Sequence, residues 1–227
     1  MEKTFSAATE DYLKTILHLR EEAPAGAASE AITTQAIASR LDVAAPSATA
    51  MIKKLATLGL VRHTPYRGVE LTDEGEKVAL EVTRHHRLSE SFLTEILGLE
   101  WDKAHIEAEK WEHVLSEEVE ARMAAMLGHP THDPHGSPIP TLDGKMAREG
   151  GEPLAQMPTG TRAIVRRVID EDAAVLRYLH SVGLLPHAHI EITRAVPAEG
   201  VMQIRVGEAE HTIGLAPAKS VIAEIID

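Results

Sequence analysis

One run of nine residues restricts this chain more than any other: His105-Ile-Glu-Ala-Glu109-Lys-Trp-Glu112-His113. It sets two imidazoles and two carboxylates at i, i+4, i+7 and i+8, offsets that share one face of an α-helix. Upstream, His86 and Glu90 repeat the i, i+4 spacing. A helical face of His and Glu is costly to bury unless something neutralises it. A divalent metal ion does so directly.

Composition narrows the chemistry. There is no cysteine among the 227 residues, so disulfides and thiolate chemistry are excluded. Histidine and carboxylate remain as the strong metal ligands. Aromatic residues are only 3% of the chain, so its cores rest on Leu, Ile, Val, Ala and Met. No apolar run reaches membrane-spanning length, and no membrane partner is expected. Met1 is followed by Glu-Lys-Thr-Phe-Ser with no apolar segment, so no secretory leader is expected and a cytoplasmic protein is the natural reading. The net charge of -12 looks wrong for a nucleic-acid binder, but its distribution does not. Residues 31–72 carry five basic against two acidic side chains, and residues 73–145 carry seven against sixteen.

The pattern predicts a mainly α chain with a β component. Residues 5–22 read as an amphipathic helix with Ala8, Tyr12, Ile16 and Leu19 near one stripe. Residues 22–31, with Pro24 and Gly26, read as a loop. Thr34–Leu41 forms a short helix, Asp42-Val43 turns, and a second helix opens at Ala45-Pro46-Ser47 and stops at Gly59. Two short strands within 61–72, joined at Tyr66-Arg67-Gly68, form a wing. This order is a winged helix-turn-helix over residues 1–72. Ser47, Thr49 and Ala50 are small enough to approach base edges, with Pro46 setting the helix start. Lys53, Arg62 and Arg67 would meet phosphates, Arg67 from the minor-groove side.

A helical domain is expected over 73–147, with one helix from Thr72 to about Gly98 and another from Asp102 to about Met126. Trp111 reads as a packing residue, His85 as a solvent-facing neighbour of His86, and the histidines of 128–135 as polar surface. Residues 148–160, rich in Gly and Pro, read as a linker. From 161 to 227 short strands surround one helix at 172–182, the pattern of a small SH3-like β-barrel.

Together these motifs resemble the diphtheria toxin repressor family of metal-dependent transcription regulators. Thr9-Glu-Asp-Tyr-Leu13 is similar to the family's first helix. His85-His86-Arg-Leu-Ser-Glu90 and Trp111–Val119 are similar to its ligand-bearing segments, and Gly136-Ser-Pro-Ile-Pro140 to the turn that closes its dimerisation domain. The resemblance implies a helical dimerisation domain, an SH3-like (FeoA-like) C-terminal domain and two metal sites. The primary site would use Asp11, Glu109, Glu112 and His113. The ancillary site would use His86, Glu90 and His105, with Glu171 or Asp172 as barrel ligands. Asp11 stands where iron sensors of the family have a thioether, and Glu109 where they have a thiolate.

Hard oxygen ligands with imidazole suit Mn²⁺ and tolerate Fe²⁺, the alternative signal. Co²⁺, Ni²⁺, Cd²⁺ and Zn²⁺ are expected substitutes in vitro. Manganese sensors of the family often carry an acidic residue one turn after the first Asp; Lys14 occupies that position, so two separated sites are expected. The implied protein is a repressor of metal homeostasis that binds palindromic double-stranded operators as a homodimer. Two other classes stay open. A metalloenzyme lacks a His-Glu-x-x-His motif and a nucleophile. A regulator reading an organic ligand would bind DNA without metal.

Overall fold

A computed structural model describes residues 5–22, 32–64, 67–147, 149–169 and 172–226. Most of the expected loop at 22–31, Pro65 and Tyr66 of the wing, Arg148 at the start of the expected linker, and Glu171 lie outside the described residues. Two compact units divide the chain, one of residues 1–84 with 140–145, the other of 85–139 with 146–227.

In the first unit, α1 (Ala7–Glu22) buries Tyr12, Leu13, Ile16 and Leu17, the i, i+1, i+4, i+5 stripe of an amphipathic helix. Ala8 is exposed and Leu19 half-buried, so the stripe is rotated from the expected one. Thr33 caps α2 (Thr34–Arg40) by accepting from the Ala36 amide at 3.1 Å. The turn that follows passes through Asp42 at φ 49°, a conformation its short polar side chain tolerates. α3 (Ala45–Thr57) opens with Pro46 in its first turn and buries Ala48, Ile52 and Leu55. β1 (Val61–Thr64) and β2 (Gly68–Leu71) pair antiparallel, and Ile32 bridges to Val69. Helix, turn, helix and wing are all present. Gly75 sits in the first turn of α4 (Asp73–Glu95), where a Cβ would lie 1.9 Å from the Leu60 carbonyl oxygen; only glycine allows that approach.

In the second unit, the expected long helix from 102 to 126 is two. α5 (Trp101–Trp111) ends with Glu112 as its C-cap, and Ser116 caps α6 (Glu117–Met126) by accepting from the Val119 amide. Ser116 competes for the backbone as a cap rather than a helix-interior residue, and three acidic residues follow it in the first turn, where the helix dipole favours them. Trp111 packs against both the Leu88–Met123–Ala124 and the Leu93–Ala104–Ala108 clusters, the packing role expected.

The C-terminal sheet runs β3-β8-β4-β5-β6-β7, every neighbour antiparallel. Its strands are β3 (Glu152–Pro153), β4 (Arg162–Val168), β5 (His189–Val196), β6 (Val201–Val206), β7 (Ala209–Gly214) and β8 (Val221–Ile225). α7 (Ala173–Ser181) and α8 (Leu215–Lys219) close the core. β3, α8 and β8 were not expected. The linker is shorter than its composition implied: Glu152-Pro153 pairs with β8, and Leu154 is fully buried in the barrel core.

Candidate metal centre and nucleic-acid face

Two helices bring the polar residues together. Ala104 and Ala108, both fully buried, meet Leu93 of α4, and such small contact residues let α5 approach α4 closely. That approach places His86 and Glu90 of α4 against His105, Glu109 and Glu112 of the second helix. His86 Nδ1 lies 2.5 Å from Glu112 Oε2 and 3.4 Å from Glu109 Oε1. Its Nε2 lies 3.1 Å from Glu90 Oε1 and 3.2 Å from His105 Nδ1. His105 Nδ1 is 2.8 Å from Glu90 Oε1, and His113 Nε2 is 3.2 Å from Glu112 Oε1. His86 therefore contacts members of both expected ligand sets.

The burial is unusual for such groups. The Glu112 side chain is 0% exposed and that of Glu90 3%. Burial pushes the Glu90 carboxyl up, but the nearby His135 and His86, with hydrogen bonds from His105 and His135, outweigh it and hold the group well below the ordinary carboxylate range.

His135 was expected at the surface and is instead buried, with Nδ1 3.4 Å from Glu90 Oε2. Asp133 joins it. Asp133 Oδ1 accepts from the backbone amides of His135 at 2.8 Å and Ser137 at 2.9 Å, which folds residues 133–137 back toward α4. Burial first, then Glu90, raises the Asp133 carboxyl. Burial lowers the His135 imidazole, but Glu90 and Asp133 raise it further, so its net shift is upward. His129 and His132 of the same loop are exposed, as expected.

His85 is also buried rather than solvent-facing. Its Nδ1 lies 3.0 Å from the Glu112 carbonyl oxygen and its Nε2 3.4 Å from Glu120 Oε2. It thus grips the backbone of a candidate ligand from behind.

The donor chemistry fits a divalent ion. His86, His105 and Glu109 present ligand atoms within 4.8 Å of one another, and so do Glu90, Asp133 and His135. Every donor is an imidazole nitrogen or a carboxylate oxygen, the set that first-row divalent ions accept. Nε2 of His135 is buried with no hydrogen-bond partner among the described residues. Asp11 stands half-buried on α1 in the first unit. Asp172 is the N-cap of α7, its Oδ1 accepting from the Ala174 amide at 2.7 Å and from Val175 at 3.4 Å; it belongs to none of the donor groups that the described residues form.

The exposed face of α3 is opposite Ala48, Ile52 and Leu55. Pro46, Ser47, Ala50 and Lys53 are exposed there, and Thr49 is half-buried with its hydroxyl donating to the Ala45 carbonyl at 2.8 Å. Arg62 on β1 and Arg67 in the wing turn are exposed.

Comparison with known proteins places both halves of this arrangement. Residues 4–69 match the iron dependent repressor N-terminal DNA binding domain, and residues 72–141 the iron dependent repressor metal binding and dimerisation domain. Over 95% of this chain and 96% of the relative, it is 33% identical to the iron-dependent repressor IdeR of Mycobacterium leprae. The chain belongs to the iron-dependent repressor family. That family comprises metal-dependent transcriptional repressors, not enzymes. Residues 152–225 match the FeoA domain. The diphtheria toxin repressor of Corynebacterium efficiens is 34% identical over 81% of this chain and 82% of its own length. A manganese-dependent transcriptional repressor in complex with manganese has the same fold, with a TM-score of 0.88 and 34% identity over 96% of this chain and 100% of that one. ScaR with bound Zn²⁺ aligns with a TM-score of 0.81 and 29% identity, over 96% and 99% respectively.

Within this family the sequence reading missed Asp133, His135 and His85. The Asp-Pro-His-Gly run carried a signal in its Asp, whose oxygen can cap amides two and four residues on, but nothing in it shows that the loop folds onto α4.

Proposed function

We propose that this protein is a manganese-activated repressor of metal homeostasis, working in the cytoplasm as a homodimer on palindromic operator DNA. The observation that supports it is the donor set: imidazole and carboxylate only, in a chain without cysteine. Such ligands suit Mn²⁺, the weakest binder of the first-row divalent series, where a thiolate would favour softer or later ions. The family holds proteins named for iron and for manganese, so Fe²⁺ is the second reading.

The primary ligands proposed are Asp11, Glu109, Glu112 and His113. The ancillary set is His86, Glu90 and His105, joined by Asp133 and His135; Asp172 and Glu171 are the barrel candidates. When bound, a divalent cation supplies the charge that these carboxylates lack and a fixed geometry for them to meet. Glu109, Glu112 and Glu90 repel one another when unneutralised, which loosens the hold of α5 on α4. His86 spans both sets and orients Glu112. Asp11 is the ligand proposed to tie α1, and through it α3, to that centre. Fixing α3 in each protomer sets the separation of two recognition helices on successive major grooves. Ser47, Thr49 and Ala50 would meet base edges beyond Pro46, with Lys53, Arg62 and Arg67 on phosphates.

Calorimetric titration with Mn²⁺ and, anaerobically, with Fe²⁺ tests the assignment, followed by DNA binding with each. Tighter DNA binding with Mn²⁺ at lower free metal supports it. Activation by Fe²⁺ alone replaces it with the iron reading.

A further inference from the structure

Trp101 opens α5, yet its indole belongs to the hydrophobic core of the barrel. The same ring lies against His135 of the Glu90–Asp133–His135 donor group. The Trp101 and His135 rings stack with centroids 4.5 Å apart and planes tilted by 31°. Trp101 Nε1 donates to the Pro134 carbonyl at 3.2 Å, and His180 of α7 meets the indole edge-on at 5.7 Å. The next residue, Asp102, accepts from Arg177 of α7 at 2.7 Å. The His135 backbone is tied to the barrel as well, its carbonyl accepting from the Val168 amide of β4 at 2.9 Å. At Gly136 a Cβ would fall 2.2 Å from the Arg166 carbonyl oxygen, so the loop lies directly on the strand.

His135 is thus held on three sides: by Glu90 of α4, by the indole of α5 and by strand β4. An imidazole packed on an indole has few rotamers left, and its Nδ1 stays aimed at Glu90. We propose that Trp101 is a positioning residue that couples the Glu90–Asp133–His135 donor group to the barrel. It fixes the His135 ring for ligation, and occupancy of the group tightens the seat of the barrel on α5. This rests on the reading of that group as a metal site. The coupling is reciprocal, because whatever the barrel adds to metal affinity, metal adds to barrel docking.

The test uses the full chain with Trp111→Phe, which leaves Trp101 as the one tryptophan of two. Mn²⁺ binding is followed by calorimetry and by Trp101 emission in parallel. The emission is expected to change along the binding isotherm, and in Trp111→Phe/His135→Phe that response disappears although the stack is kept. Replacing Trp101 by Leu should weaken Mn²⁺ binding about three- to tenfold, the worth of one aromatic stack. Trp101→Phe should restore most of it. In the wild-type chain, Mn²⁺ should slow hydrogen exchange of the Val168 amide, a readout that needs no variant to fold. Calorimetric binding with unmoved emission and unmoved Val168 exchange overturns the coupling while leaving the metal site standing. No calorimetric binding step sensitive to His135→Phe overturns the metal reading itself, and the coupling with it.

Discussion

His86 Nδ1 lies 2.5 Å from Glu112 Oε2, a contact between members of the two proposed ligand sets. The same imidazole reaches Glu90 through its other nitrogen at 3.1 Å. One side chain on α4 therefore orients carboxylates of both sets.

Removing it should disturb both. His86→Ala is expected to weaken each Mn²⁺ binding step by about tenfold or more, as loss of a ligand or of its supporting hydrogen bond does. The double variant with Glu112→Ala should lose less than the two single losses combined, because the pair acts as a unit. Calorimetry on the four proteins of that cycle checks this. Strict additivity would mean that the two residues serve independent sites.

Behind Glu112, His85 contacts the carbonyl oxygen and meets Glu120. His85→Leu keeps the volume buried but removes the hydrogen bond. It should lower Mn²⁺ affinity about tenfold while far-ultraviolet circular dichroism stays unchanged. Glu120→Gln should act in the same direction more weakly. Unaltered metal affinity in both variants would leave His85 a packing residue only.

The contrast between these residues shows what the sequence carries. His86, Glu90, His105 and Glu109 were legible because a helix fixes which offsets share a face, whatever the rest of the fold does. The winged helix was legible for the same local reason: Pro46 early in its helix and the Tyr66-Arg67-Gly68 turn signal act within a few residues. His135 was not, since its approach to Glu90 depends on a loop returning to a helix far back in the chain. Nor was the break at Glu112, where the polar periodicity runs on through His113 while Ser116 caps a new helix. β3 escaped notice because Gly150, Gly151 and Pro153 read as linker, whereas its pairing with β8 is a long-range choice of the barrel.

The pH dependence of the barrel's seat follows from Asp102. The hydrogen bond from Arg177 holds its carboxyl below the ordinary range, against a smaller opposing effect of burial. A group depressed in the folded state stabilises above its unfolded value, about 3.9 for Asp, and loses that contribution as pH falls through the folded value. Melting temperatures of wild type and Asp102→Asn should therefore differ at neutral pH and converge as pH falls below the ordinary carboxylate range. The gap should shrink in high salt, because Arg177 is largely exposed. A gap independent of pH contradicts the ion-pair reading.

On the DNA side, Arg67 is exposed in the wing and Lys53 on the open face of α3. Each should meet phosphate, so Arg67→Ala is expected to weaken binding to all sequences alike. It should reduce the slope of log affinity against log salt by about one. Anisotropy titrations at several salt concentrations measure it, and an unchanged slope removes the wing from the interface.

Metal control of DNA binding is proposed to run through Glu112. The direct measurement is fluorescence anisotropy with a duplex that the protein itself has selected from a random library, in chelator and in Mn²⁺. Wild-type protein should bind about ten- to a hundredfold more tightly with Mn²⁺, within the usual range of allosteric coupling. Glu112→Ala should bind weakly and equally in both. Equal affinity of the wild type with and without metal, or a full Mn²⁺ response in Glu112→Ala, would contradict it.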